Sequence, residues 1–414
     1  MTDSQHVIDA LVRDKNPARV GLSGGPWVDT LVLWMEEGYP TRKVYREAGE
    51  ERPRFDPRDA IRDGRPVVNE VSGEYEEPVP VWHHFRQDMI GVGPWFDAWP
   101  LGVKARVSNH PRGKLTRSQL SRGELIEDTE EWQIIRNGAG ATMRWWKHKG
   151  GTPEHLGYRM VSREIWERHY RPHLLDLDPE RISVEEMRKN LADARVSGLW
   201  TSMSHMFVWE QARQSMGDLC LYESLLLDPE WIHDYNRVYT DFHKKHWAYV
   251  FEHVGLPDSV TLCEDLGYNA GPFASPKTFE ELVFPYFREI VDFFHGYGVA
   301  ATLHTCGSTA AVMPLILEAG FDAVNPMERK ALHTDPFVFA EKYGERIVLQ
   351  GGLDMRVLET NDKEIIGREV ANLVEGMKAR GARFILSPDH GITPNVRYES
   401  WLHAVQVYRE HMWY

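Results

Sequence analysis

In the heptapeptide "LHTCGST", His304 and Cys306 stand one residue apart where an apolar run gives way to small turn residues. An imidazole nitrogen and a thiolate sulfur both suit a borderline metal such as zinc, and an extended or turning backbone can bring them to one ion at this spacing. The plainer use of the same pair is a histidine hydrogen-bonded inside the fold and a cysteine packed as a small apolar residue. A second histidine, His390 in "SPDHG", also follows an apolar run at a turn. A catalytic zinc takes three protein donors and keeps one position open. His304, Cys306 and His390 supply three, and Glu264 or Asp389 could fill the fourth place until a substrate arrives. Glu328 in "NPME" and Asp354 in "GGLDM" suit a supporting or substrate-contacting role, because a metal-bound histidine usually passes its other N–H to a carboxylate or carbonyl. Asp354 could equally cap the helix that follows it.

"SVTLCED" places Cys263, Glu264 and Asp265 at the end of one β-like run. Side chains alternate across a strand, so Cys263 and Asp265 share one face and Glu264 takes the other unless a bulge intervenes. The expectation is a carboxylate toward the site and Cys263 in packing, with Glu264, Asp265 and Asp389 as the candidate catalytic carboxylates. Cys220 sits in an apolar-periodic stretch and is expected to be buried and inert. Three cysteines, far apart and odd in number, do not make a disulfide framework, and they fit a reducing compartment.

These residues need elements to hold them. From about residue 194 onward, short β-like runs alternate with helical patterns, as in βαβ units. The runs are "ARVSGLWTS", "SVTLCED", "VAATLHTC", "FDAVNPM", "RIVLQGG" and "ARFILSPD". The intervening "SPKTFEELVFPYFREIVDFFHGYG" opens with Ser275 and Pro276 as N-cap and first helical residue. Each candidate residue falls at the C-terminal end of a run. In a (β/α)8 TIM barrel those ends converge on one face, which would gather residues spread through the chain into one site. The expected fold is therefore a single α/β barrel domain over residues 1–414. Residues 40–190 or so are less regular, and are expected to carry insertions that cap the barrel mouth.

In that region "RFDPRDAIRDGRPVVNEVSGEYEEPVP" suggests an insertion or hairpins, and "NGAGATMRWWKHKGGTPEHLGY" suggests Gly-punctuated strands. The aromatic residues of "VWHHF", "GPWFDAW", "MRWWKH" and "LWTSMSHMFVW" are expected to wall an apolar pocket for an aromatic substrate or to dock a flat cofactor. The chain has 48 basic and 62 acidic residues, a net charge of −14, which argues against phosphate-backbone binding. No apolar targeting segment or membrane-length run occurs, so the expected setting is cytoplasmic.

Residues 190 to 414 resemble the uroporphyrinogen decarboxylase superfamily. The segments that carry the likeness are "GPFASPKTFEELVFPYFREIVDFFH", "LHTCGST", "LILEAGFDAVNPME", "RIVLQGGLDMRVLE" and "FILSPDHGITPNVRYESWLHAV", and the opening "VIDALVRDKNPARV" is weakly similar to its first helix and strand. Zinc-dependent methyltransferases of this superfamily, which work with corrinoid proteins, carry His-x-Cys after one strand and a further Cys in an "SPGCG"-like turn. His304 and Cys306 match the first element, and His390 stands where the second Cys is expected. The resemblance implies bound zinc, a partner corrinoid protein, and methyl transfer from a small substrate such as a methoxylated aromatic, that is, O-demethylation. Two other functions stay open: a metal-free decarboxylase, in which Asp265 would hold ring N–H groups and arginines would grip acid groups, and a non-catalytic corrinoid- or substrate-binding scaffold.

Overall fold

A computed structural model describes residues 4–14, 16–45, 74–100, 123–146 and 153–414. Its centre is a sheet of eight parallel strands: β1 (Gly21–Leu22), β2 (Met89–Val92), β3 (Trp200–His205), β4 (Ser259–Cys263), β5 (Ala300–His304), β6 (Ala323–Met327), β7 (Val348–Leu353) and β8 (Phe384–Pro388). From β2 to β8 each strand pairs with its neighbour in chain order, and β8 pairs in turn with β1. This is the α/β barrel expected of the pattern.

The seam between β1 and β2 is closed by one buried residue. Asp88 donates its N–H to the Leu22 carbonyl (3.0 Å) and accepts the Leu22 N–H on Oδ2 (2.8 Å). Arg19 pairs with the same carboxylate, with Nη1 2.8 Å from Oδ2, and also donates to the Tyr408 hydroxyl. A lone buried carboxylate would be costly; here both oxygens are bonded and the charge is matched.

The ends of the barrel interior differ in chemistry. At the N-terminal end, Val7, Ile8 and Leu11 of the first helical segment pack with Trp200, Ala300, Ala323, Val348 and Ile385 in a buried apolar cluster. Toward the C-terminal end the inward positions turn polar, with Ser202 and Ser204 on β3, Thr261 on β4 and Gln350 on β7.

The run "ARVSGLWTS" divides differently from the expectation. Ala194 to Val196 finish the helix Val184–Val196, whose Met187, Leu191 and Ala194 recur on one buried face, and the strand begins only at Trp200. Gly198, at φ 69°, makes the left-handed turn between them. The segment after Ser275 is two helices, Pro276–Leu282 and Phe284–Gly296; Ser275 caps the first by accepting the Thr278 N–H (3.0 Å), and Pro285 stands at the start of the second.

Before β3 lie a hairpin, Thr41–Tyr45 with Glu74–Pro78, and an antiparallel sheet of Gly123–Asp128, Trp132–Asn137, Thr142–Trp146 and Glu154–Gly157. The Gly-punctuated strands thus form as expected, while most of "RFDPRDAIRDGRPVVNEVSGEYEEPVP" lies outside the described residues. No described helix is long and apolar enough to cross a membrane.

Candidate metal centre

The turn "TCGST" is fixed by its neighbours on both sides. Thr305 donates its N–H to the Asn325 carbonyl (2.7 Å) and accepts the Leu266 N–H on Oγ1 (3.0 Å). Gly307 has φ 82°, and a Cβ there would stand 2.5 Å from the Gly267 carbonyl carbon, so only glycine fits this close passage of two backbones. Its N–H is donated to Glu328 Oε2 (2.7 Å), while the Cys306 N–H is donated to Asp265 Oδ1 (2.8 Å). Two carboxylates therefore flank Cys306, each anchored by a backbone N–H of the same turn.

Around the thiol, the candidate donors fall into two overlapping groups. Asp265, His304 and Cys306 have ligand atoms within 4.8 Å of one another, and so do Cys306, Glu328 and His390. Cys306 Sγ is 3.6 Å from His304 Nε2. Cys306 thus adjoins each of the two histidines expected as ligands, His304 with Asp265 in one group and His390 with Glu328 in the other, and neither group holds both histidines. His304 is oriented by Asn325, whose Oδ1 lies 2.8 Å from Nδ1; an amide oxygen can only accept, so the proton sits on Nδ1 and Nε2 presents its lone pair toward Cys306. Asn325 is the residue opposite His304 in the β5–β6 register. It was not singled out from sequence, although parallel pairing of "LHTC" with "AVNPME" was the available signal.

The electrostatics of this cluster suit a cation. Burial pushes the Cys306 thiol well above its ordinary pKa, and the carboxylates of Asp265 and Glu328 add to the shift. A bound cation reverses that balance, since it stabilises the thiolate and attracts both carboxylates. Lys330 Nζ lies 3.4 Å from Glu328 Oε1. His390 Nδ1 is buried and makes no hydrogen bond, and its nearest carboxylate contact is Asp389 Oδ1 at 3.8 Å. The pull of Asp389 raises the His390 pKa against the opposing effect of burial. Each group, Cys306 with His304 and Asp265 or Cys306 with His390 and Glu328, offers a thiol, an imidazole and a carboxylate, a donor set that fits a divalent metal.

The remaining candidates separate clearly. Glu264 faces away from the cavity: its fully buried carboxylate accepts the N–H groups of Phe207, Trp209 (2.7 Å) and Glu210 (3.3 Å) at the start of the helix Val208–Leu227. That is a carboxyl group held by a helix N-terminus, its pKa pushed up by burial against the pull of those N–H groups, and it anchors the helix to β4 instead of reaching a substrate. Cys263 and Asp265 share the other face and both line the cavity, so Cys263 is not confined to packing. Burial pushes the Cys263 thiol up to about 12. Asp354 caps Met355–Leu358 by accepting the Arg356 N–H (2.8 Å) and pairs with the Arg356 guanidinium, so its helix-capping role is the one the geometry supplies. Asp389 is 1% exposed, accepts the Met355 N–H on Oδ1 (3.1 Å), and leaves Oδ2 without a partner at the cavity wall. Cys220 hydrogen-bonds weakly within its helix region, away from the cavity, and burial raises its pKa.

The cavity over these strand ends holds about 620 Å³. No Trp, Tyr or Phe is among its described lining residues, which corrects the expected aromatic wall. The rings pack elsewhere: Trp200 in the apolar cluster of the barrel's N-terminal end, Trp209 against Phe279, and Phe96 among His205, His246 and Trp247. Their apolar bodies find more area to bury between helices and barrel than at a mouth lined by hydroxyls.

A (β/α)8 barrel with a metal-suited cluster at its C-terminal strand ends is the class these features define. Residues 222–411 match the family model for uroporphyrinogen decarboxylase (URO-D), the superfamily that the strand-end motifs resemble. Among solved structures, a methyltransferase from Methanosarcina mazei superposes with a TM-score of 0.58 at 12% identity, covering 99% of each chain. A structure of L-ribulose 3-epimerase covers 56% of this chain and 74% of its own at 14% identity, with a TM-score of 0.34. No curated protein sequence matches this chain.

Proposed function

We propose that the chain is a zinc-dependent methyltransferase that takes a methyl group from a small ether and passes it to the cobalt of a corrinoid protein, an O-demethylation. The observation that carries this reading is the position of Cys306, shared between the two donor groups at the open end of the barrel. Cys306, His304 and His390 would hold the metal, with Asp265 or Glu328 as adjoining carboxylates.

When bound, zinc supplies Lewis acidity, drawing charge from an oxygen that must leave as an alkoxide or phenolate. A reduced corrinoid on a partner protein would supply the electron pair that accepts the methyl group, and the ether oxygen, keeping the electron pair of the broken O–CH3 bond, would take up a proton. The chain's own residues prepare this step. Asn325 keeps the His304 proton on Nδ1, and Asp265 and Glu328 hold the turn that presents Cys306. Asp389 offers a buried acceptor for a substrate O–H or N–H. His in place of Cys at position 390 leaves a ligand set with one less negative charge, which makes the bound metal a stronger acid and favours the demethylating direction.

The decarboxylase alternative needs arginines to grip acid groups, and no Arg or Lys is among the described lining residues of the cavity. A purely binding scaffold gives no reason for a donor cluster oriented by Asn325. The test is methyl transfer to a Co(I) corrinoid, followed by its absorbance change, before and after chelation. Activity should vanish on chelation and return with zinc. Full activity in metal-free protein would contradict the proposal.

A further inference from the structure

The floor of the cavity names a substrate chemistry that the metal cluster alone does not. Gln350 donates through Nε2 to the Ser23 hydroxyl (2.8 Å), so its side-chain carbonyl is left as an acceptor. Ser202 and Thr261 share a hydroxyl–hydroxyl bond (3.0 Å), and Ser204 stands on the same inward face of β3. Above this floor are the carboxylates of Asp265 and Asp389. The free Oδ2 of Asp389 weighs most: a buried carboxylate oxygen without a donor is costly, and a ligand that donates to it recovers that cost.

Three kinds of methyl donor can be compared against these walls. An anionic one meets Asp265 and Asp389, with no lysine or arginine among the described lining residues to offset them; the Glu210 carboxylate, also in the lining, is already paired with Arg213. A quaternary ammonium satisfies the charge but has no lone pair to offer a metal and no hydrogen to donate to Asp389. An ether that also carries hydroxyl groups meets both demands, because its oxygens can bind a metal and its O–H groups can donate to carboxylates and to the Gln350 carbonyl. The volume of about 620 Å³ admits a six-carbon ring with its substituents and lies within the ordinary range of ligand pockets.

We propose that the cavity takes a small, uncharged, polyhydroxylated methyl ether, of the chemical class of O-methylated sugars and cyclitols, and not a methoxylated aromatic. The inference rests on the methyltransferase reading for the word "methyl", but its binding test does not. Calorimetry on the full chain loaded with zinc is run with pinitol, methyl α-glucoside and methyl β-galactoside, and with 3-methoxybenzoate and tetramethylammonium as contrasts. At least one of the polyols should bind at millimolar concentration while neither contrast does. Gln350→Met and Ser204→Val should each weaken that binding by about tenfold, as expected for loss of one hydrogen bond to a polar ligand, with the melting temperature recorded to show the variants fold. Absence of binding by all three polyols overturns the proposal, as does tighter binding of either contrast. Methyl transfer from 3-methoxybenzoate without polyol binding would overturn this inference and leave the methyltransferase reading standing. Polyol binding without methyl transfer from any methylated polyol would leave the sugar-type site standing and count against that reading.

Discussion

The two ends of the barrel interior are built from the same strands with the same alternation, yet they are opposite in chemistry. At one end Val7, Ile8 and Leu11 seal the barrel against Trp200, Val348 and Ile385, and the indole N–H of Trp200 is spent on the Ser259 hydroxyl (2.9 Å). At the other, Ser204, Thr261 and Gln350 face a cavity rimmed by Asp265, His304, Asp389 and His390. One end converts buried area into stability, and the other keeps polar groups available for a ligand and leaves one of them unpaired. The lesson is a division of labour along each strand: substitutions at the N-terminal end should be felt in unfolding, and those at the C-terminal end in binding and turnover.

Cys306→Ala gives the largest effect on the functional side. Methyl transfer should fall by on the order of a thousandfold, the several kcal/mol that a Lewis acid contributes, while the melting temperature stays within a few degrees of wild type. Its counterpart is Ile385→Ala, which should cost about 2–5 kcal/mol in denaturant unfolding and leave turnover per folded molecule unchanged. A melting temperature that collapses in Cys306→Ala, or turnover lost in Ile385→Ala, would break the comparison.

His390→Cys is a finer probe of the same end. The added negative charge should weaken the metal's acidity and slow demethylation by about ten- to a hundredfold, roughly 1.4 to 2.7 kcal/mol, without loss of metal. An unchanged rate would mean that residue 390 does not tune the metal.

The smallest effect lies at the sealed end. His295 Nε2 is 2.8 Å from Asp322 Oδ2, which also accepts the Ala301 N–H (2.7 Å). The Asp322 hydrogen bond raises the His295 pKa, more than burial lowers it. A raised folded-state pKa stabilises the protein fully below the unfolded value of about 6.5, and that stability is lost as pH rises through the folded value. The pair is partly exposed, so the contribution is under about 1 kcal/mol. Unfolding of His295→Gln and wild type should therefore differ near pH 5 and converge near pH 8; equal stabilities at both would remove the pair from the account.

The positions of the reactive residues were legible because strand ends announce themselves: an apolar run, then a donor, then Gly, Pro or Asp, as in "LHTCGST" and "SPDHG". The face of each side chain was not. Glu264 and Asp265 are adjacent carboxylates, and only the tertiary position of the helix Val208–Leu227 decides that Glu264 is spent on backbone N–H groups. Glu328 was read as a supporting residue, but the turn at Gly307 draws it to Cys306. The tryptophans misled for a related reason: composition counts rings without saying which surface they cover. The polar floor was present in "WTSMSH", "VTLC" and "VLQGG" as inward hydroxyls and an amide, a signal lost when strands are scanned for apolar residues alone.

The central claim is that Cys306 holds a metal at the open end of the barrel. Elemental analysis of the purified protein after dialysis against a mild chelator, alongside Cys306→Ala and Cys220→Ala, tests it most directly. The account predicts close to one zinc per chain in the wild type and in Cys220→Ala, and none in a folded Cys306→Ala. Equal zinc in all three proteins, or a wild type that transfers methyl groups at full rate without metal, would contradict it.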